Sequence, residues 1–263
     1  LTQDEVGKNI TVVASYTDGY GAQESLTSAS STVANLNDDP TGSVTISGVM
    51  SQGETLTATN TLADLDGLGT VGYQWQGNGF DITGATNDTY VLTQDEVGKN
   101  ITVVASYTDD HGTVESVTSS SPTSSVANTN DNPTGSLTIS GIAAQGETLT
   151  AVSSLADLDG LTTLNYQWQV DGVDISGATT NTYLLTQSEV GKNLTVTASY
   201  TDGYSTAQSI TSSSTTTVNN VNDAPTGLVT ISGSAQQGAV LTATQTLNDL
   251  DGLGTISYQW QRD

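Results

Sequence analysis

Acidic side chains set the chemistry open to this chain. Its 263 residues carry 28 Asp and Glu against 4 Lys and Arg, with one His and no Cys, for a formal net charge of -24. The acids recur in short patterns. DLDG stands at 64–67, 157–160 and 249–252; QDEVGKN at 3–9 and 94–100, with QSEVGKN at 187–193; and NDDP, NDNP and NDAP end at Pro40, Pro133 and Pro225. Carboxylate and amide oxygens without thiolates form a hard donor set, which suits calcium. A chain this acidic must lower its self-repulsion to stay compact, and bound cations do that directly. For DLDG taken alone, a turn that uses Asp and Gly for backbone geometry is an equal reading.

The same arithmetic excludes other functions. Nucleic-acid binding needs clustered Lys and Arg to neutralise phosphates, and four basic residues cannot supply them. Docking on anionic lipid is disfavoured for the same reason, and no apolar run reaches the roughly 18 residues of a membrane span. The single His111 lies where the other copies carry Gly and Tyr, so no base is held in common. With no Cys nucleophile, phosphate-binding glycine loop or zinc motif, the chain does not read as an enzyme.

These acids sit on a repeat. Residues 1–18 recur unchanged at 92–109 and, slightly altered, at 185–202; PTGSVTISG at 40 returns as PTGSLTISG at 133 and PTGLVTISG at 225; YQWQ stands at 73, 166 and 258. A period near 93 exceeds that of most solenoid repeats and matches a small self-contained domain. Cutting before each Pro predicts complete modules over 40–132 and 133–224, the back part of one over 1–39 and the front part of another over 225–263, an excerpt of a longer array. Within a module, TGSVTISG, ETLTATNTL, TVGYQWQG, TYVLT and ITVVASYT alternate apolar and polar residues at period two, and Gly, Asn, Asp and Ser punctuate them. Seven or so short strands in about 93 residues predict an all-β fold of tandem β-sandwiches. Trp75, Trp168 and Trp260, one mid-strand in each YQWQ, read as core anchors between two sheets.

YQWQ followed by DISGATTNTYLLTQSEVGKNLTVTASYTDG resembles the bacterial Ig-like repeat, and the junctions ANLNDDP, ANTNDNP and NNVNDAP resemble the linkers of cadherins and bacterial cadherin-like repeats. Such arrays occur in giant RTX-type adhesins of Gram-negative bacteria, where they act as calcium-rigidified spacers. The resemblance therefore implies an Ig-like/cadherin-like module, an extracellular or cell-surface location and a structural role in cell adhesion and biofilm. The glycine-rich RTX nonapeptide is absent.

In the family fold, a module's N-terminus lies beside its B-C and F-G loops, while its A-B and E-F loops lie at the far end beside the next linker. Carried over, this implies calcium sites at each junction. The first would use Asp4, Glu5, Asn37, Asp38, Asp64, Asp66 and Asp109. The second would use Glu54, Asp95, Glu96, Asn130, Asp131, Asp157, Asp159 and Asp202. The third would use Glu147, Glu189, Asn222, Asp223, Asp249 and Asp251. Ser188 replaces an acid at the third, Ala239 replaces Glu in the last A-B loop, and Asn35, Asn128 or Asn220 stands where the cadherin linker has a leading Asp. Asp81, Asp88, Asp110 and Asp171 read as solvated surface charges. The expected partners are calcium ions, neighbouring modules and other copies of the chain, without nucleic acid or membrane insertion. A self-assembling filament or surface layer is an alternative, and so is a carbohydrate-binding module using Tyr20 and Tyr204.

Overall fold

A computed structural model describes residues 1–121 and 124–262. It divides into two compact units, Leu1–Thr129 and Asn130–Asp263. The first opens with β1 (Asn9–Ile10), β2 (Val13–Thr17), β3 (Gln23–Thr27) and β4 (Ser31–Thr32), then continues through β5 (Val44–Ser47), β6 (Thr55–Asn60), β7 (Gly72–Gly77), β8 (Phe80–Asp81), β9 (Thr89–Val91), β10 (Ile101–Thr108) and β11 (Val114–Thr118). The second repeats the scheme as β12 (Leu137–Ser140), β13 (Thr148–Ser153), β14 (Asn165–Val170), β15 (Val173–Asp174), β16 (Thr182–Leu184), β17 (Leu194–Thr201) and β18 (Ala207–Thr211), followed by β19 (Val229–Gly233) and β20 (Leu241–Gln245).

All strand pairs are antiparallel, and β5 to β11 form one sandwich. One sheet has the order β5-β6-β9, the other β11-β10-β7-β8; β12 to β18 reproduce both as β12-β13-β16 and β15-β14-β17-β18. The chain is therefore all-β and built of tandem β-sandwiches, as its period-two alternation predicts. In β10 the residues Ile101, Val103, Ala105 and Tyr107 point inward while their neighbours face out, because successive side chains alternate across a pleated strand.

Each sandwich has its own core. Trp75 packs with Leu56, Leu92, Ile101 and Val103, and Trp168 with Leu149, Leu185, Leu194 and Val196. Both indoles are 0% exposed and donate their N–H to a backbone carbonyl, Asn87 or Thr180, at 2.9 Å. Trp260, in the stretch that forms only β19 and β20, is 49% exposed.

The Gly of PTG has a steric reason to recur. Gly42 and Gly135 have φ of +93° and +88°, and a Cβ there would overlap the carbonyl oxygen of Thr61 or of Ser154. Backbone passes too close, in a conformation L residues rarely adopt, for any side chain.

Candidate functional site

The DLDG loop follows β6 and β13, and its first Asp shapes the turn. The Asp64 Oδ1 accepts the Asp66 amide at 2.8 Å, and the Asp157 Oδ1 accepts the Asp159 amide at 2.8 Å. The second oxygen of each takes a phenol from the neighbouring long strand: Tyr107 donates to Asp64 Oδ2 at 2.5 Å, and Tyr200 donates to Asp157 Oδ2. The turn reading and the site reading of DLDG therefore apply to different residues, the first Asp fixing geometry and the second turning inward.

That second Asp, Asp66 or Asp159, is buried, at 2% and 3% exposure. Next to it lies the acid that ends the long strand, Asp109 or Asp202, each 5% exposed. Main-chain bonds tie the two loops, from the Asp110 amide to the Asp66 carbonyl at 3.2 Å and from the Gly203 amide to the Asp159 carbonyl at 3.0 Å. The Asp109 Oδ1 accepts the amides of His111 and Thr113, both at 2.8 Å, and the Asp202 Oδ1 those of Tyr204 and Thr206, at 2.9 and 2.8 Å. Asp109 Oδ2 and Asp202 Oδ2 are buried without a hydrogen-bond donor, and so is Asp159 Oδ1.

Linker residues close over these acids. Asp38 donates its amide to Asp66 Oδ2 at 2.8 Å, Asp131 donates its own to Asp159 Oδ2 at 2.7 Å, and Asp223 donates its own to Asp251 Oδ2 at 2.9 Å. The Asp38 amide, with help from the side chains of Asn35 and Gln3, holds the Asp66 carboxyl below its ordinary value. Gln3 Nε2 reaches Asp66 Oδ1 at 2.7 Å. Asn37 donates its side chain to Glu115 Oε1 at 2.8 Å, whereas Asn130 Oδ1 accepts from Gln208 Nε2 at 3.0 Å. Asn222 bonds the Asp223 carbonyl at 3.0 Å, and Asp249 Oδ1 accepts the Asp251 amide at 2.9 Å.

The phenols report the local field. Burial first, then the carboxylates of Asp64, Glu115 and Asp109, pushes the Tyr107 hydroxyl well above its ordinary value; Asp157, Asp202 and Asp159 act on Tyr200 in the same way. Three acids thus crowd each phenol.

The acids of the E-F turns have another occupation. Gln3–Glu5, Gln94–Glu96 and Gln187–Glu189 are 3-10 turns whose last Glu folds back on the preceding Thr. Glu96 Oε2 accepts the Thr93 amide at 3.0 Å and its hydroxyl at 2.8 Å; Glu189 bonds Thr186 at 2.8 Å twice, and Glu5 bonds Thr2 at 2.7 and 2.9 Å. This is a capping box. Those Thr2 bonds hold the Glu5 carboxyl below its ordinary value. Glu96 and Glu189 are buried, and their carboxylates, after burial, help push the neighbouring hydroxyls of Tyr90 and Tyr183 up to about 12. Asp4, Asp95, Glu54 and Glu147 are exposed.

Among the acids set aside as surface charge, Asp81, Asp88, Asp110 and Asp171 are exposed. Asp171 also shapes a hairpin: at φ +47° it accepts the Asn193 amide at 3.2 Å, as Asn78 at φ +52° accepts that of Asn100 at 2.9 Å. Asn35 and Asn128 carry more than their types announced. The Oδ1 of each is buried without a donor. Their place in the linker, three residues ahead of the paired Asp, was the available signal.

Among the described residues, no three Asp, Glu or His are arranged to hold a metal ion by themselves. The chemistry nevertheless suits a hard cation in part: the first head offers the Asp109 Oδ2 and Asn35 Oδ1, and the second offers the Asp159 Oδ1 and Asp202 Oδ2. Calcium accepts such mixed carboxylate, amide and carbonyl shells, completed by water.

No family model and no curated protein matches the chain. Among solved structures it is similar to a Ca2+-stabilized adhesin with which an Antarctic bacterium binds ice, at 17% identity and TM-score 0.30 over 84% of this chain and 59% of that one. It is also similar to a tetra-tandem repeat in the extending region of a large adhesion protein, at 20% identity and TM-score 0.28 over 93% and 71%. A third is the run of cadherin domains 1–5 of protocadherin gamma B2, at 16% identity and TM-score 0.32 over 82% and 46%. The chain spans 59% of the length of the first of these.

Proposed function

We propose that this chain is a spacer segment of a secreted bacterial surface adhesin, with modules over 40–132 and 133–224 whose joints are stiffened by calcium. One observation carries the reading: at the head of each sandwich an inward-turned Asp pair lies buried, and carboxylate oxygens there have no donor. A buried carboxylate oxygen without a partner is costly, at roughly 1 to 3 kcal/mol or more, and a cation relieves both that cost and the repulsion between neighbouring acids. At the first head Asp66, Asp109 and Asn35 would hold the ion, with Asp38 and Asp64 beside them. At the second, Asp159 and Asp202 would do so with Asp131 and Asp157, and at the third Asp223, Asp249 and Asp251. Calcium would supply charge neutralisation and a rigid bond between linker and loop.

Affinities in the range of extracellular modules, ~0.1 to 1 mM, suffice outside the cell. The function is mechanical, so no acid need be activated and no substrate pocket is required. Thermal melting and small-angle scattering of the whole chain, in EDTA and in calcium, test the proposal. A higher melting temperature and a greater maximum dimension in calcium are expected. An unchanged melting temperature and dimension would overturn it.

A further inference from the structure

Each linker leaves its sandwich along the loop that joins the first two strands, between β5 and β6 or between β12 and β13. A short parallel ladder forms there. Ala127 donates to the Met50 carbonyl at 2.9 Å and accepts from the Gln52 amide at 3.0 Å; Asn219 donates to the Ala143 carbonyl at 2.8 Å and accepts from the Gln145 amide at 2.9 Å. In a ladder the next linker amide to be satisfied lies two residues on. Both loops turn away at a Gly, and in the first the Gln52 carbonyl takes the Thr129 hydroxyl at 3.3 Å and not its amide.

A side chain takes over at that point. Gln52 Oε1 accepts the Thr129 amide at 3.2 Å, and Gln145 Oε1 accepts the Val221 amide at 3.3 Å. Gln145 Nε2 then donates to Asp223 Oδ2 at 2.6 Å, another two residues along, and Asp223 in turn donates its amide to Asp251 Oδ2 at 2.9 Å. The carboxamide, an acceptor and a donor in one plane, reproduces a peptide group and carries the ladder onto the linker. Glu could accept but not donate when ionised, and would set a second charge against Asp223. Gln237 occupies the same place in the next copy of the loop, QQGA, even though the following Glu has become Ala there.

We propose that this glutamine is a positioning residue: Gln52 and Gln145 hold their linkers in register without a cation, so that an ion held by Asp223 and Asp251 meets acids that Gln145 has already aligned. The second half of this statement rests on the calcium reading; the first does not. The test is amide hydrogen exchange on the full chain, first in EDTA, with Gln145→Met and Gln52→Met, which keep length and remove both polar atoms. Val221 should exchange more slowly than its neighbour Asn220. Gln145→Met should speed Val221 by roughly three- to tenfold, the equivalent of one net hydrogen bond, and leave Thr129 unchanged. Gln52→Met should do the reverse. Core amides of Val196 and Val103 report that both sandwiches stay folded.

Val221 exchanging as fast as Asn220 in the unaltered chain, or indifferent to Gln145→Met, overturns the clamp. Calcium titration by calorimetry then reads the second half. Gln145→Met should weaken binding by roughly three- to tenfold; unchanged affinity overturns the positioning role. If the unaltered chain binds no calcium, the function proposed above fails and the exchange experiment still decides the clamp.

Discussion

Replacing Asp202 by Asn should move stability in opposite directions with and without calcium. In the metal-free protein Oδ1 accepts two amides, from Tyr204 and Thr206, and Asn can keep both. What changes is the other oxygen, buried and without a donor, and the charge it shares with Asp157 and Asp159 around Tyr200. Removing an unpaired buried charge should stabilise the metal-free form by ~1 kcal/mol. In a domain of about 100 residues that raises the melting temperature by ~4 to 8 °C. With calcium the sign reverses. A site with Kd near 0.1 mM contributes ~2.7 kcal/mol at a hundredfold excess, and a hundredfold loss of affinity leaves RT ln 2, about 0.4 kcal/mol. The net loss in calcium is then roughly 1 kcal/mol. Calorimetric melts in EDTA and in ~10 mM calcium, about a hundredfold above that Kd, read both arms. If Asp202→Asn lowers stability equally in both buffers, the acid is structural and the calcium argument fails.

Trp75→Ala should destabilise its own sandwich by roughly 3 to 5 kcal/mol, since it empties a fully buried site and leaves the Asn87 carbonyl without its donor, while the transition of the β12 to β18 sandwich stays put. A single shift shared by both transitions would show that the cores are not separate. Gly135→Ala should cost at least ~2 kcal/mol, because φ is +88° and the new Cβ would meet the Ser154 carbonyl; a neutral effect in urea melts would refute the close approach. Burial, then Glu96 and Glu189, pushes Tyr90 and Tyr183 up to about 12, so the folded chain keeps phenolic protons that the unfolded chain releases near pH 10. That stability is complete below about pH 10 and is lost as pH rises toward 12; melts from pH 9 to 12 should show it, with a shallower fall in the double variant Tyr90→Phe, Tyr183→Phe. On the acid side, Asp66 is held below its ordinary value, so its contribution is present above about pH 4 and lost as pH falls through the folded value; Asp66→Asn should flatten that limb in metal-free melts.

Period and alternation are local properties, and the sequence by itself determined every feature that rests on them. The repeat near 93, the strands of period two, the single Trp in each YQWQ and the recurrence of DLDG, QDE and ND-P could all be read without coordinates, because a strand's inward face is written in every second residue. Tertiary structure decided which acids do what. In DLDG, two chemically identical Asp residues part company: Asp64 closes a turn and takes a phenol from a strand 43 positions away, while Asp66 is buried beneath a linker amide. Glu96 and Glu189, expected among the calcium ligands, are buried with a carboxylate oxygen engaged in the caps of their own turns. Asn35 and Asn128 looked like departures from a ligand pattern, yet each buries an amide oxygen without a donor. Gln145 carried no signal beyond its repetition, since its role depends on a linker 76 residues onward lying beside it. Residue type sets what a carboxylate or carboxamide can bind, and only the closure of distant segments around it fixes which donors reach it and which of its oxygens are left over.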